Sequence, residues 1–243
     1  IEAGVLAGAG RVFGLHTAAE VPSGTVGLKP GLNNAGVDFF RITVKGKSAH
    51  VSQPQLGVDA LYIASQIVVA VQGIVTRTYS PVEPVIVGIG KMQAGTTYNA
   101  IAAEAMLEGT TRTVSHESRA RVRGQIEQLA RETAAVYGGD ADLFWDDFAS
   151  PLINDADVSR EAARAAEVVG LRVITDRALS LSGDNFAEYL LACPGAYAYL
   201  GTGAAAKPGT CNPPHNGNFD IDEDALKLGA GLYAAYAMQY LNE

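Results

Sequence analysis

The sequence predicts an α/β protein in which one β-α-β-β-α-β unit is inserted into a second unit of alternating strands and helices. Two observations predict this. Between residues 36 and 148 the apolar period switches from two to three-and-four and back, in that order of elements. On both sides of that stretch, short apolar runs alternate with helical patterns, as in a parallel sheet. The composition fits: 48% of the 243 residues are hydrophobic and 18% are charged, the balance of a chain that packs cores.

Taken in order, Arg11-Val-Phe-Gly-Leu-His16 reads as a short buried strand ending in a histidine. Residues 21–34, rich in Pro, Gly and Asn, read as a loop leading to a boundary. Asp38, Phe40, Ile42 and Val44 then alternate with Val37, Phe39, Arg41 and Thr43, as in a strand. Leu61, Ala64, Val68, Val71 and Val75 recur on one face of a helix. Residues 84–90 alternate through Val85, Val87 and Ile89, and residues 105–113 form a Thr-rich strand. Val122, Ile126, Leu129, Thr133 and Val136 mark a second helix, with Glu127 and Arg131 paired on its wet side and Gly138-Gly139 as its stop. Residues 142–148 close the unit. This is the ferredoxin-like split βαβ order, and a four-stranded sheet of that kind leaves an edge free to pair with a second copy.

Beyond Ser150-Pro151 the pattern predicts a helix over 156–169, a strand over 172–175 and a helix over 184–192 capped by Asp184. A strand over 196–201 and a long helix over 222–241, with Asp222 as its cap, complete the chain. The expected domains are therefore 1–34 with 149–243, sharing a parallel sheet, and 35–148 between them.

A formal net charge of -8 argues against a nucleic-acid partner. No apolar run looks long enough for a bilayer and no basic, apolar leader is visible, so a cytoplasmic protein is expected. Cys193 and Cys211 form no metal or redox spacing and read as ordinary thiols. The chain does not begin with Met, so a processed protein or a piece of a longer one is expected.

Only four histidines are available for chemistry. His16, placed at a strand's end, is either a metal ligand or a hydrogen-bonded core residue. His215 lies in Asn212-Pro-Pro-His-Asn-Gly-Asn, either a stiffened ligand loop or a surface turn. His50 follows the first strand of the inserted unit and defaults to a solvated loop. His116 starts a helix and receives no role. Arg112 either binds a carboxylate or makes a surface salt bridge.

Taken together, several strings are more specific. Phe13-Gly-Leu-His16, Pro22-x-Gly-Thr-Val-Gly27, Lys45-Gly-Lys-Ser-Ala-His50, Gly57-Val-Asp-Ala60, Gly95-Thr-Thr-Tyr-Asn99, Glu108-Gly-Thr-Thr-Arg-Thr113, Gly183-Asp-Asn-Phe186 and His215-x-x-x-Phe-Asp-Ile-Asp222 occur in that order. In them the chain resembles the amidohydrolase branch of the aminoacylase/carboxypeptidase dinuclear metallopeptidases, which includes hippurate hydrolases. The resemblance implies a zinc-exopeptidase-like α/β catalytic domain, incomplete at its N-terminus, with an inserted ferredoxin-like lid that forms a homodimer. It implies hydrolysis of an N-acyl amino acid by water held between two divalent ions, zinc foremost, with manganese or cobalt as alternatives.

By motif, His16 and His215 would bind metal. His50 would stabilise the oxyanion in the partner's site, and Asn99 and Arg112 would hold substrate. The family's upstream His-x-Cys-Gly-His-Asp and Glu-Glu motifs are not in the sequence, so two usual ligands are expected here and the rest elsewhere. Asp184-Asn185 stands where Glu-Asp is usual, and Ala102 where proline is usual. Two rivals remain: a truncated, inactive dimerisation module, and an enzyme recruiting Asp184 or Glu20 as replacement ligands.

Overall fold

The first apolar run forms a longer strand than expected. In the computed structural model, which describes residues 1–242, β1 covers Val12–Pro22. His16 therefore sits in mid-strand and not at its end. The Pro/Gly/Asn-rich stretch is not a plain loop but holds two short strands, β2 (Thr25–Gly27) and β3 (Gly31–Asn34). Gly24 and Gly31, at φ 81° and 78°, make the turns that allow them. The inserted unit follows as β4 (Gly36–Lys45), α1 (Ala60–Thr78), β5 (Ile86–Ala94), β6 (Glu104–Thr113), α2 (His116–Val136) and β7 (Asp140–Ala149). The chain ends with β8 (Leu152–Asn154), α3 (Ala156–Val168), β9 (Arg172–Ile174), α4 (Phe186–Ala192), β10 (Gly195–Gly203) and α5 (Asp224–Leu241).

These elements fall into two compact units. One comprises Ile1–Asn34, Leu152–Ser180 and the chain from Asp184 onward; the other comprises Ala35–Pro151 with Leu181–Gly183.

In the first unit the sheet runs β1-β10-β2-β9. It is mixed, where a parallel sheet was expected. β1 and β2 lie parallel to β10 and β9 respectively, but β10 and β2 are antiparallel. The reason is local: the chain reverses at Ser23-Gly24, too short a link for a parallel crossover. β3 and β8 pair apart from it. One sheet face packs Ala196, Ala198 and Leu200 against Ala162 and Ala166 of α3 and Leu232 of α5. The other carries Tyr197 and Tyr199 with Ala18, Leu152 and Ala187. Asp184 lies two residues before α4, where its Oδ1 accepts from Phe186 N at 2.8 Å. Asp222 is not the cap of α5. It accepts from Lys207 Nζ at 2.7 Å, and the helix starts two residues later.

In the second unit the order β5-β6-β4-β7 is antiparallel throughout, the ferredoxin-like arrangement, with α1 and α2 as its helices. Phe40, Ile42 and Val44 alternate inward and meet Ile63 and Ile67 of α1, Leu107 of β6, and Val122 and Ile126 of α2. Asp59 caps α1 through Leu61 N and Tyr62 N, and Ser115 with Ser118 forms a capping box on α2.

Each helix turns inward a face that overlaps only in part the one periodicity marks: Ala64 and Val71 of α1 and Val122 and Ile126 of α2 are buried as expected, and Val68, Val75 and Leu129 pack partly against the core. α1 buries Ala60, Ile63, Ala64, Ile67, Val71 and Ile74 and leaves Leu61 47% exposed. Its residues are apolar nearly all round, so two stripes satisfied the period. α2 buries Ala130 and Ala134 instead of Thr133 and Val136. The expectation of no bilayer-length apolar run needs correction, because α1 has that length and composition. Its inner face is committed to this core.

Candidate functional site

His16 lies exposed on β1, between two tyrosines of β10. Its ring is 6.2 Å from Tyr197 and 5.8 Å from Tyr199, centroid to centroid. Its Nδ1 is 2.6 Å from the Thr17 carbonyl. A carbonyl only accepts, so Nδ1 carries the proton, and the neutral ring keeps its lone pair on Nε2. That is the tautomer a metal-binding histidine uses when its other nitrogen is held by a carbonyl.

The wall around it is fixed by hydrogen bonds. Tyr197 donates to Asp184 Oδ2 and Tyr199 to Asn34 Oδ1, each at 2.6 Å. Burial, reinforced by Asp184, pushes the Tyr197 phenol far above its usual range, so it stays a donor. Burial also raises Tyr199. Arg177 stacks 3.5 Å from the Tyr199 ring centroid, and its Nε and Nη2 donate to Glu20 Oε1 at 3.1 and 2.7 Å. Sequence reasoning passed over Tyr197, Tyr199 and Arg177. The i,i+2 tyrosines were a usable signal, since alternate strand residues share a face. Arg177 had none.

His215 is exposed, between a short 3-10 turn (Pro208–Cys211) and α5. At φ 68° it is the one non-glycine with positive φ among the described residues. Histidine tolerates this region better than most residues, yet the conformation is sparsely populated and recurs at functional sites.

His50 belongs to the second unit and is held oppositely to His16. Its Nδ1 accepts from Ser52 N at 3.2 Å and lies 2.7 Å from Ser52 Oγ. The backbone N–H only donates, so the neutral ring's proton is on Nε2, leaving that nitrogen a donor on an exposed residue. His50 pairs with Ala100 as an antiparallel bridge, and Val51 N donates to Asn99 O at 3.2 Å. Asn99 therefore shares one small platform with His50, and its Oδ1 is 3.3 Å from Thr97 Oγ1. Arg112 makes no salt bridge among the described residues, against one of the expected alternatives. Its Nε donates to Leu181 O at 2.9 Å and its Nη1 to Thr110 Oγ1 and Thr111 O at 2.6 and 2.8 Å. Nη2 has no partner among the described residues, which leaves it free for a carboxylate.

The fit to metal is partial. His16 presents the right atom, but no group of three or more His, Cys, Asp or Glu capable of holding an ion occurs among the described residues. Asp184 and Glu20, the conceivable replacement ligands, are engaged with Tyr197 and Arg177. A catalytic ion normally needs three protein ligands. By themselves these residues do not form such a site.

An interrupted α/β unit carrying a ferredoxin-like insert is an architecture of metal-dependent exopeptidases and amidohydrolases. Residues 32–138 match the M20 peptidase dimerisation domain. The chain is 34% identical over 238 residues to an N-acetylcysteine deacetylase of Bacillus subtilis, covering 98% of this chain and 61% of that protein. It is 33% identical over 244 residues to thermostable carboxypeptidase 1 of Saccharolobus solfataricus, again covering 61% of the relative. A solved dinuclear metal-binding M20 peptidase of Bacillus subtilis superposes with a TM-score of 0.81 at 32% identity, over 99% of this chain and 60% of that one. Along nearly its whole length the chain is similar to M20 peptidases. It spans about three-fifths of the length of these relatives.

Proposed function

We propose that this chain is part of a homodimeric, metal-dependent amidohydrolase that cleaves N-acyl amino acids. The likeness along 98% of the chain to a protein named N-acetylcysteine deacetylase carries this reading. The first unit would be the C-terminal part of the catalytic domain and the second the lid. His16, through Nε2, and His215 would each give a ligand to divalent ions, zinc in this reading, whose remaining ligands and general base come from sequence outside these residues. His50, through Nε2–H, would donate to the oxyanion in the partner's site. Asn99 and the free Nη2 of Arg112 would hold the substrate's amide and carboxylate.

The homodimer is supported by the chemistry of one flank of the lid. β5 is an edge strand whose one charge, Lys91, is paired with Glu108. Beside it the outer face of α1 leaves Leu61 and Val69 47% and 71% exposed, and α1 has no charge before Arg77. A second β5 can add there to make one continuous sheet.

The test is hydrolysis of N-acetyl amino acids by the protein translated from its whole reading frame, followed by amine release, with metal content measured alongside. Activity is expected, abolished by chelation. His16→Ala should lose metal. His50→Gln should keep its metal and lose about 10²–10³-fold in kcat. A chelator-insensitive enzyme, or a fully active His16→Ala variant, overturns the reading.

A further inference from the structure

Tyr98 is the side chain the fold leaves unused in the most telling place. It is 95% exposed, on the turn between β5 and β6 that opens at Gly95 with φ 72°. The turn is well held: Ile101 N donates to Ala49 O at 2.8 Å, beside the His50 and Ala100 bridge. The ring is therefore carried on the same platform as His50 and Asn99. It overhangs a groove of about 480 Å³ lined with Val51, Asp59, Leu61 and Thr97. A ring with both faces in water contributes nothing to the lid's own stability, and a turn of this kind is served as well by a small polar residue.

Its neighbours indicate what covers it. Its neighbours in the turn, Thr96, Thr97 and Asn99, carry hydroxyls and an amide. An anchor for a protein partner sits in an apolar pocket that excludes water. An aromatic ring at a groove with a few polar groups beside it is instead how small-molecule sites are lined. The turn lies at the end of β5, the edge assigned above to the second copy. We propose that Tyr98 is a specificity-determining residue delivered with His50 and Asn99 to the partner subunit's site. There its ring lies against the acyl group and favours planar, aromatic acyl groups over acetyl. This rests on the homodimeric amidohydrolase reading.

The experiment uses the full-length enzyme and two probes, the N-benzoyl and N-acetyl derivatives of one amino acid. Tyr98→Ala should lower the benzoyl/acetyl ratio of kcat/KM by roughly 3- to 10-fold, the worth of one aromatic contact. Tyr98→Phe should preserve it, and neither should change the dimer in sedimentation. A purified heterodimer of one His16→Ala chain and one Tyr98→Ala chain tests delivery. Its only competent site belongs to the Tyr98→Ala chain and receives Tyr98 from its partner, so it should show the wild-type ratio.

An unchanged ratio in Tyr98→Ala, a dimer that dissociates, or a heterodimer with the altered ratio each overturns the proposal. If wild type hydrolyses neither probe, the amidohydrolase reading falls first and takes the proposal with it.

Discussion

The two flanks of the lid are built to one plan and finished with opposite chemistry. Each pairs a helix with an edge strand, α1 with β5 and α2 with β7, and each helix puts a small-and-branched apolar stripe into the same core. Outside, α1 has no charge before Arg77. α2 carries Arg119, Arg121, Arg123, Glu127, Arg131 and Glu132, and β7 carries Asp140, Asp142, Asp146 and Asp147. The α2 flank even buries charge: Asp38, fully inaccessible on β4, receives Arg119 Nε at 2.9 Å, and Arg119 reaches Asp147 at 3.3 Å. The inner faces show what folds the unit, and the outer faces show which side meets water. Two copies of β7 side by side would oppose like charges, whereas two copies of β5 would not.

The largest expected effect breaks the charged flank from within. Asp38→Ala leaves Arg119 without its buried partner and should cost about 3–5 kcal/mol, read from the urea midpoint. Next, Val69→Asp places a charge on the neutral flank and should weaken dimerisation on the order of 100-fold by sedimentation. Asp146→Lys on β7 should leave association unchanged. If the two results are reversed, the flanks have been assigned the wrong way round.

A smaller effect separates capping from association. Asp59→Ala removes the acceptor for Leu61 N and Tyr62 N and should cost about 1 kcal/mol without altering the dimer interface. The smallest concerns pH. Lys91 and Arg41 hold the Glu108 carboxyl below its usual range. Its contribution is complete above the unfolded value and lost as pH falls through the lower folded one. Glu108→Gln should therefore flatten the acid limb of the stability profile slightly, since its partners are solvated. A steepened limb would contradict the assigned pairing.

Much of the lid was readable because its signals are local. The strand of Phe40, Ile42 and Val44, the Glu127–Arg131 pair and the glycine stop after α2 each depend on residues a few positions apart. The full inward face of α1 was not readable, because an almost wholly apolar helix satisfies the period in two ways: Ala64 and Val71 turn in as marked, but Leu61 does not. Nor were β2 and β3, whose partners lie more than a hundred residues on. At the candidate site, His16 and His50 were found by motif. What the motifs did not contain is that one histidine meets a carbonyl and the other a backbone N–H, which gives them opposite tautomers.

By itself the sequence determined the order of elements in the insert and the strings that mark the family, since each is a relation between near neighbours. Only the tertiary structure decided the mixed strand order of the first unit, the burial of Asp38 against Arg119, the tyrosine wall beside His16 and the bareness of Tyr98. Those depend on which distant segments meet, and hydrophobic periodicity says that a residue turns inward without saying what it will find there.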